Sequence, residues 1–196
     1  MRNIQAQTVI DAVAQMCIEA NRYLPEDVLS AFKAAQERED SEVAKEIFRQ
    51  LLENSDLACE SGLPLCQDTG LAVLFVEMGE DCRIEDGSLR DVLTQGVRKG
   101  YDEGFLRKSA CDPLTRANTG DNTPAVIHID LVPGDKLKIC MMAKGGGSEN
   151  MSRVTMLAPA QGWEGIKKFG VNRVADAGPN PCPPVILGIG VGGTFD

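Results

Sequence analysis

The hydrophobic pattern of the chain changes its period near residue 62. Before that point, apolar residues recur at three- and four-residue spacing, which predicts helices. After it, short apolar stretches rich in β-branched residues alternate with turns and with further helical patterns. The 196 residues therefore predict an α+β (mixed α/β) fold, in which a helical part at 1–62 precedes a mixed sheet with flanking helices at 63–196.

The same periodicities predict the individual elements. Three helices are expected in the first part: one carries the apolar stripe from Val9 to Ala20, one opens after Pro25, and one runs from about Ser41 to near Cys59. The second part predicts a strand at Leu71–Met78, a helix at Leu89–Tyr101, a hairpin of strands Ala125–Leu131 and Lys136–Met142, a helix at Pro159–Ala177 frayed by Gly170, and a buried strand at Val185–Val191. We expect these elements to form one domain spanning 1–196.

The charge balance restricts the partners of the chain. It has 20 basic and 29 acidic residues and a formal net charge of −9, which disfavours binding to nucleic acid or to an anionic membrane surface. No apolar stretch reaches the ~20 residues that span a bilayer. The first residues also lack the apolar core of a secretory signal. We therefore expect a cytoplasmic protein that binds neither nucleic acid nor membranes.

Seven cysteines and a single histidine limit the metal chemistry. The cysteines are odd in number and form no Cys-x-x-Cys pair, which argues against a disulfide scaffold, and one histidine excludes a multi-histidine site. The lone His128 lies on the more polar face of its predicted strand and is interpreted as solvated or capped. Five of the cysteines are interpreted as ordinary core residues, namely Cys17, Cys59, Cys82, Cys111 and Cys140.

Four polar, glycine-rich loops follow predicted strands or helices, where catalytic groups usually lie. They are 66–70, 116–122, 144–150, and 180–184 together with 192–194. The first holds Cys66 in Leu-Cys-Gln-Asp-Thr-Gly, and the last holds Cys182 between prolines. These two settings suggest an iron-sulfur site, although a cluster needs at least three ligands.

Two of these loops leave alternatives open. The glycines at 145–147 expose bare amides that suit an anionic ligand, but a glycine triplet is equally typical of a tight turn. Asp68 is placed to move a proton at a bound substrate, or else it caps its own loop as an Asx turn. Four basic residues near these loops could hold a carboxylate, namely Arg107, Arg116, Lys144 and Arg153.

Four motifs, in this order and spacing, give the chain a resemblance to a known family. They are Cys66-Gln67-Asp68-Thr69-Gly70, Asn118-Thr119-Gly120-Asp121-Asn122, Lys144 to Asn150, and Asn180 to Pro184 with Gly192-Gly193-Thr194. The chain resembles the N-terminal catalytic domain, or α subunit, of class I fumarate hydratases and the related L-tartrate dehydratases. The resemblance implies a 4Fe-4S cluster on three cysteines with one iron open to substrate. Cys66 and Cys182 match two of the ligands, and the third lies farther along the family sequence than this chain extends.

The resemblance also implies roles for individual residues. Asp68 would be the catalytic acid, Gln67 and Arg107 would bind substrate, and the amides of Gly145, Gly146 and Gly147 would complete the pocket. The implied reaction is the reversible hydration or dehydration of a small hydroxy dicarboxylate, with fumarate to malate as the first candidate and tartrate as the alternative. The remaining groups would come from a β subunit or a C-terminal domain of the same enzyme.

Two further expectations concern the chain as a molecule. Because the C-terminal part of the subunit is absent, we expect this chain alone to be catalytically silent. By the same resemblance we expect a homo-oligomer. Two other interpretations stay open: a non-catalytic assembly module that retains the scaffold, and a small-anion-binding protein that uses the glycine loops without a cluster.

Overall fold

The computed structural model describes residues 1–182 and 184–194. The chain divides into two compact units, Met1–Lys144 and Gly145–Asp196. Helices and a mixed sheet are both present, so the predicted α+β class is confirmed. None of the helices in this part of the chain combines the length and the apolar character that crossing a bilayer demands.

The first unit contains five strands and four helices among its residues. The strands are β1 (Arg2–Gln5), β2 (Leu71–Gly79), β3 (Cys82–Glu85), β4 (Val126–Val132) and β5 (Leu137–Lys144). The helices are α1 (Ala6–Arg22), α2 (Glu26–Arg38), α3 (Glu42–Ser61) and α4 (Leu89–Glu103). The four helices predicted here are confirmed, and the predicted strands β2, β4 and β5 agree within two residues at each end.

Local signals explain where these helices begin and end. The hydroxyl of Ser41 accepts a hydrogen bond from the Ala44 amide at the start of α3, and Ser88 does the same for α4 with Asp91. Such caps satisfy amides that have no partner within the helix. α3 ends at Gly62, whose φ of 70° lies in the left-handed region that favours glycine.

The prediction that residues 1–62 are wholly helical is wrong at its beginning. β1 pairs in parallel with β3, forming a small two-stranded sheet. Both strands have four residues, too few for their alternation to stand out from the surrounding pattern. Their pairing joins segments far apart in sequence, and no local signal indicates it.

The predicted hairpin between β4 and β5 is also wrong. The three-stranded sheet has the order β4-β2-β5, with β2 parallel to β4 and antiparallel to β5. The segment 133–136 therefore crosses the end of β2. Gly79, the last residue of β2, and Asp81, two residues later, donate backbone hydrogen bonds to Lys136 and Gly134 of the crossing segment, respectively. These contacts replace the hairpin bonds that the turn sequence suggested.

The core of the first unit lies between this sheet and the helices α1 and α4. Its fully buried side chains include Val13, Leu74, Leu93, Val97 and Tyr101. At Gly100 a Cβ atom would lie 2.7 Å from the Ala14 carbonyl oxygen, so glycine permits the close approach of the two helices.

The second unit is built from short helices and extended segments. It contains α5 (Gly146–Met151), a 3-10 turn at Pro159–Gln161 and α6 (Gly162–Ala177), and α6 continues through Gly170 without a break. Among the residues that the structure describes here, Ala177 is the one that is buried. This unit therefore has little core of its own.

The predicted buried strand at Val185–Val191 is wrong. These residues form no strand, and all of their apolar side chains are exposed. A continuous apolar run predicts burial only where a neighbouring strand or helix can cover it. The described residues of the second unit include no strand that could do so. Pro183, which belongs to one of the predicted loops, lies outside the described residues.

Candidate functional site

The loop 66–70 connects α3 to β2 and carries three of the predicted site residues. The Cys66 thiol is exposed, and its Sγ accepts the Asp68 amide at 3.4 Å. The Oδ1 atom of Asp68 accepts the Gly70 amide at 3.1 Å, which is the Asx turn anticipated as one of its two roles. The side chain of Gln67 is exposed. The turn therefore fixes the spacing of Cys66, Gln67 and Asp68.

A second segment, 107–110, lies against this loop. The Thr69 hydroxyl donates to the Arg107 carbonyl oxygen at 2.9 Å, and the Ser109 hydroxyl donates to Asp68 Oδ1 at 3.2 Å. The Arg107 side chain is exposed. The structure thus brings the segments that carry Asp68 and Arg107 together within the first unit.

The side chain of Asn122 forms hydrogen bonds with both of these segments. Its Oδ1 atom accepts the amides of Ser109 at 2.6 Å and Ala110 at 2.9 Å, and its Nδ2 donates to the Gly70 carbonyl oxygen at 3.1 Å. The residue is 1% exposed, with a φ of 60° that asparagine tolerates better than most residues. One buried amide therefore satisfies backbone groups of both segments.

Tyr101 supports the loop from the core. Its side chain is 0% exposed, and its hydroxyl lies 2.8 Å from the Thr69 carbonyl oxygen and 3.2 Å from that of Gly70. Burial raises the pKa of the phenol above its ordinary value of 10.0, so the hydroxyl remains a donor at neutral pH. The contact links the end of α4 directly to the residues that follow Asp68.

Sequence reasoning missed Ser109, Tyr101 and Asn122 as parts of this site. Two signals were present. Asn122 ends the polar loop 116–122 that the sequence had marked, and Tyr101 continues the buried stripe of α4 four residues after Val97. A polar atom at the end of an apolar stripe must find a partner when it is buried, and that requirement indicates a supporting role.

An open cleft of about 600 Å³ borders the same loops beside α1 and α4, and it contains several cations. Each of its cations contacts a carboxylate: Arg98 lies 2.7 Å from Asp121, and Lys99 lies 3.0 Å from Asp11. Lys108 lies farther from its partner, 3.8 Å from Asp102. Since these charges already face carboxylates, their attraction for an anionic ligand is partly neutralised.

The carboxyl group of Asp121 has a lowered pKa. Hydrogen bonds from the Thr123 hydroxyl, and then from Arg98, lower the pKa of Asp121 to about 2 despite partial burial. The carboxylate is therefore charged at neutral pH. It fixes the loop just before Asn122.

The glycine run of the second unit begins a helix. Gly145 precedes α5, and its carbonyl oxygen accepts the Glu149 amide at 3.0 Å, so the triplet is not a tight turn. A Cβ atom on Gly147 would collide with the Asn180 carbonyl oxygen. The absence of a side chain at Gly147 is thus required by packing inside this unit, whatever else the run binds.

Cys182 has an exposed thiol and an uncommon backbone conformation. Its φ is 58°, and its amide donates to the Pro179 carbonyl oxygen at 3.0 Å. Left-handed backbone at a residue other than glycine is often found at functional sites.

Thiolates are the ligands that iron-sulfur clusters prefer, and Cys66 and Cys182 are both exposed enough to supply them. Two is nevertheless fewer than a cluster needs. Within the described ranges, no three His, Cys, Asp or Glu side chains are grouped so that they could hold a metal ion. The donor chemistry fits, and the ligand count is incomplete.

The prediction that the remaining five cysteines are core residues is confirmed for two of them. Cys17 and Cys82 are buried, and burial raises the pKa of Cys17 to about 12. The prediction is wrong for Cys59 and Cys140, which are exposed, and Cys111 is half-buried. Cys140 alternates with the core-facing residues of β5, so its side chain points to the opposite face of the sheet.

His128 is exposed on β4, in agreement with its predicted polar face. Its ring stacks on Phe75 with centroids 5.1 Å apart and an interplanar angle of 11°. The contact is apolar packing between neighbouring strands.

The chain matches one protein family and is similar to several known proteins. Residues 10–196 match the model of the family described as fumarate hydratase (Fumerase). The chain is similar to a putative L(+)-tartrate dehydratase subunit alpha of Methanocaldococcus jannaschii, with 40% identity over 194 residues that cover 96% of this chain and 68% of the relative.

The chain is also similar to the L(+)-tartrate dehydratase subunit alpha of Escherichia coli strain UTI89. The identity there is 31% over 185 residues, which cover 92% of this chain and 61% of the relative. The corresponding subunit of strain K12 is 30% identical over the same coverage. The chain therefore spans between 61% and 68% of the length of these relatives.

Proposed function

Because the chain belongs to the fumarate hydratase (Fumerase) family, we propose that it forms part of a hydro-lyase acting on a small hydroxy dicarboxylate. The observation that carries the proposal is the loop 66–70, in which Cys66, Gln67 and Asp68 are fixed beside the segment of Arg107. Reversible hydration of fumarate to malate is the first candidate reaction. The chain would act as the N-terminal catalytic part of the enzyme.

Cys66 and Cys182 are the proposed protein ligands of a 4Fe-4S cluster. When bound, such a cluster supplies a Lewis acid that assists the departure of hydroxide, a poor leaving group. The hydrogen bond from the Asp68 amide to Cys66 Sγ supports this assignment, because backbone donors stabilise negative charge on cluster sulfurs. We propose that the further ligand comes from a segment equivalent to the part of the relatives that this chain does not cover.

Asp68 is the proposed acid at the substrate hydroxyl oxygen. In dehydration it would give a proton to the leaving oxygen, and in hydration it would receive one. Its half-buried carboxyl group accepts hydrogen bonds from Gly70 and Ser109, which support one orientation of the group. The Asx turn is compatible with this role, since it holds the side chain without removing it from the surface of the loop.

Gln67 and Arg107 are the proposed substrate contacts of the first unit. The exposed guanidinium of Arg107 can pair with a carboxylate in two parallel hydrogen bonds, and Gln67 can both donate and accept. The amides of Gly145, Gly146 and Gly147 are proposed to bind the same substrate. A local cation is needed because the net charge of −9 repels a dianion at longer range.

A partner subunit is the second part of the proposal. The relatives are named as alpha subunits, which supports a β subunit or a C-terminal domain as the source of the proton-abstracting base. We further propose that the chain alone is inactive, that the assembled enzyme is a homo-oligomer of this pair, and that it works in the cytoplasm. All seven thiols are free, as a reducing compartment would keep them.

A second candidate substrate is favoured by a specific observation. The relatives with 40% and 31% identity are both named for L(+)-tartrate. Tartrate and malate differ by one hydroxyl group, which a site discriminates through a few hydrogen bonds. The ratio of kcat/KM for the two substrates decides between them.

The test is anaerobic reconstitution of the chain with its cognate partner, iron and sulfide, followed by assays with fumarate, malate and tartrate. We expect turnover of at least one substrate by the pair and none by the chain alone. Cys66→Ser and Cys182→Ser should lose iron and activity, whereas Cys59→Ser, a matched change at another exposed thiol, should retain both. Turnover by the isolated chain, or full iron content in Cys66→Ser, would contradict the proposal.

If the pair is inactive, calorimetry distinguishes the remaining alternatives. Binding of dicarboxylates to the metal-free chain would identify an anion-binding protein. Absence of binding together with stable association of the two chains would identify an assembly module.

A further inference from the structure

The side chain of Ser109 reaches Asp68 from outside the loop 66–70. Its hydroxyl donates to Asp68 Oδ1 at 3.2 Å across a sequence separation of 41 residues. The hydrogen bond that the same oxygen accepts from the Gly70 amide lies within the turn itself and moves with it. Ser109 therefore ties the carboxyl group to a different part of the chain.

We propose that Ser109 is a positioning residue for Asp68, and that Asn122 fixes Ser109 in place for this purpose. The inference rests on the proposed function, in which Asp68 moves a proton at the substrate. Ser109 itself need not touch the substrate. It acts by restricting the rotation of the Asp68 side chain.

Asn122 also holds the backbone of Ser109 in place. Asn122 Oδ1 accepts the Ser109 amide at 2.6 Å, and the same amide side chain donates to the Gly70 carbonyl oxygen at 3.1 Å. Asn122 thus connects the residue that donates to Asp68 with the residue that closes its turn. Since Asn122 is buried, water does not compete for these bonds.

Tyr101 completes the support on the core side. Its hydroxyl contacts the Thr69 carbonyl oxygen at 2.8 Å, so the residue after Asp68 is fixed to α4. The position of the Asp68 backbone is then defined by Tyr101 and Asn122, and the orientation of its carboxyl group by Ser109. Proton transfer needs both, because the donor must lie within hydrogen-bond reach of the reacting oxygen.

Ser109→Ala removes one hydroxyl and leaves the backbone bonds to Asn122 intact, so the fold should be retained. Ser109→Thr keeps the hydroxyl and serves as the rescue variant. Ser30→Ala, at an exposed serine of α2, is the matched control. Each variant is compared with the wild type as the isolated chain and as the assembled enzyme.

The first readout is the orientation of the Asp68 side chain in the isolated chain. Three-bond couplings between Asp68 Cγ and its backbone nitrogen and carbonyl carbon report the rotamer about the Cα–Cβ bond. We expect one rotamer in the wild type, in Ser109→Thr and in Ser30→Ala, and averaging among rotamers in Ser109→Ala. A single unchanged rotamer in Ser109→Ala would overturn the inference.

The second readout is the kinetics of the assembled enzyme. We expect kcat of Ser109→Ala to fall about 10- to 100-fold, because a misplaced catalytic group costs that much. KM should change by less than about twofold, since Ser109 contributes no substrate contact. Ser109→Thr should restore most of kcat. An averaged Asp68 rotamer with unchanged kcat would overturn the inference.

The two readouts separate this inference from the function on which it rests. If the assembled wild type turns over none of fumarate, malate and tartrate, the proposed function fails. The couplings still decide whether Ser109 orients Asp68: averaging in Ser109→Ala supports that part, and a fixed rotamer removes it.

Discussion

The two glycine-rich regions that carry the candidate site residues are held in different ways. In the first unit, the loop 66–70 is supported by Asn122 and Tyr101, both buried and both hydrogen-bonded to its backbone. In the second unit, the run 145–147 and the segment 180–194 belong to a body in which Ala177 is the buried residue among those described. One region has a core beneath it, and the other does not.

This contrast shows that a conspicuous sequence motif can lie on a buried core or on a region with few buried residues. A reactive group is useful when its supports hold it within a fraction of an ångström, and the first region supplies such supports from its own chain. In the second region, close packing at Gly147 and the left-handed Cys182 fix local geometry, while Ile186, Leu187 and Ile189 remain in contact with water. The motif is equally clear in both sequences. In the first region the buried side chains of Asn122 and Tyr101 hold the loop, whereas in the described part of the second the half-buried Arg173 donates to the Met151 carbonyl oxygen at 2.7 Å.

A matched pair of leucine truncations tests this contrast and should give the largest change in stability. Leu93 is 0% exposed and Leu187 is 57% exposed. Leu93→Ala should lower the free energy of unfolding by about 2–5 kcal/mol because it leaves a cavity in the core. Leu187→Ala should change it by less than about 0.5 kcal/mol. Urea unfolding followed by far-UV circular dichroism measures both. Equal effects would remove the distinction between the two units.

A pair of asparagine substitutions tests the polar supports. Asn122→Ala strands the amides of Ser109 and Ala110 and should cost about 2–3 kcal/mol of unfolding free energy. Asn180→Ala, at an exposed side chain of the second unit, should cost less than about 0.5 kcal/mol. The same unfolding experiment applies. A loss at Asn122 no greater than that at Asn180 would mean that the buried amide does not hold the loops.

The smallest effect concerns the pH dependence of the first region. The pKa of Asp121 is lowered from 3.8 to about 2 in the folded chain, so its contribution to stability is present above the unfolded pKa and is lost as pH falls through about 2. Asp121→Asn should therefore flatten the decrease in unfolding free energy between pH of about 4 and 2. Because Arg98 is largely exposed, the difference should stay below about 1 kcal/mol.

Asp130→Asn, at an exposed carboxylate of β4, is the control for that measurement. Its acid unfolding profile should follow the wild type. If Asp121→Asn also follows the wild type, the hydrogen bonds of Thr123 and Arg98 contribute nothing measurable to the loop.

The sequence predicted the parts of the fold that are set locally. The helices were evident because Ser41 and Ser88 precede helical patterns and because the apolar residues of those patterns repeat with helical period. The strand order was not evident, since the turn at 133–136 has the composition of a hairpin connection while β2 occupies the place between its strands. Pairing over long sequence distances leaves no trace in a local pattern.

The apolar run at 185–191 shows a second limit of prediction from sequence. Its composition is that of a buried strand, yet the structure leaves it uncovered. The hydrophobicity of a segment predicts that it needs to be buried, but it does not identify the surface that covers it.

For the site, sequence reasoning named candidate residues on the loop 66–70 and missed the side chains that support that loop. Cys66 and Asp68 stand out by residue type beside a glycine, and both lie on the loop where we predicted them. Ser109 and Asn122 are common residue types in polar loops, so their function follows only from the contacts they make. The roles of all the candidate site residues stay predictions until cluster and substrate binding are measured: Cys66, Gln67, Asp68, Arg107, Gly145, Gly146, Gly147 and Cys182.

The central position of β2 has a consequence for synthesis of the chain. β2 leaves the ribosome before both strands that flank it, and Val73 pairs with Val126 and Met142, which are made much later. Its two edges stay without partners throughout that interval, and an unpaired apolar strand is a template for aggregation. Folding of the sheet is therefore a late, non-local event with a slow rate, and the yield of native protein should depend on the speed of translation and on chaperones that cover β2.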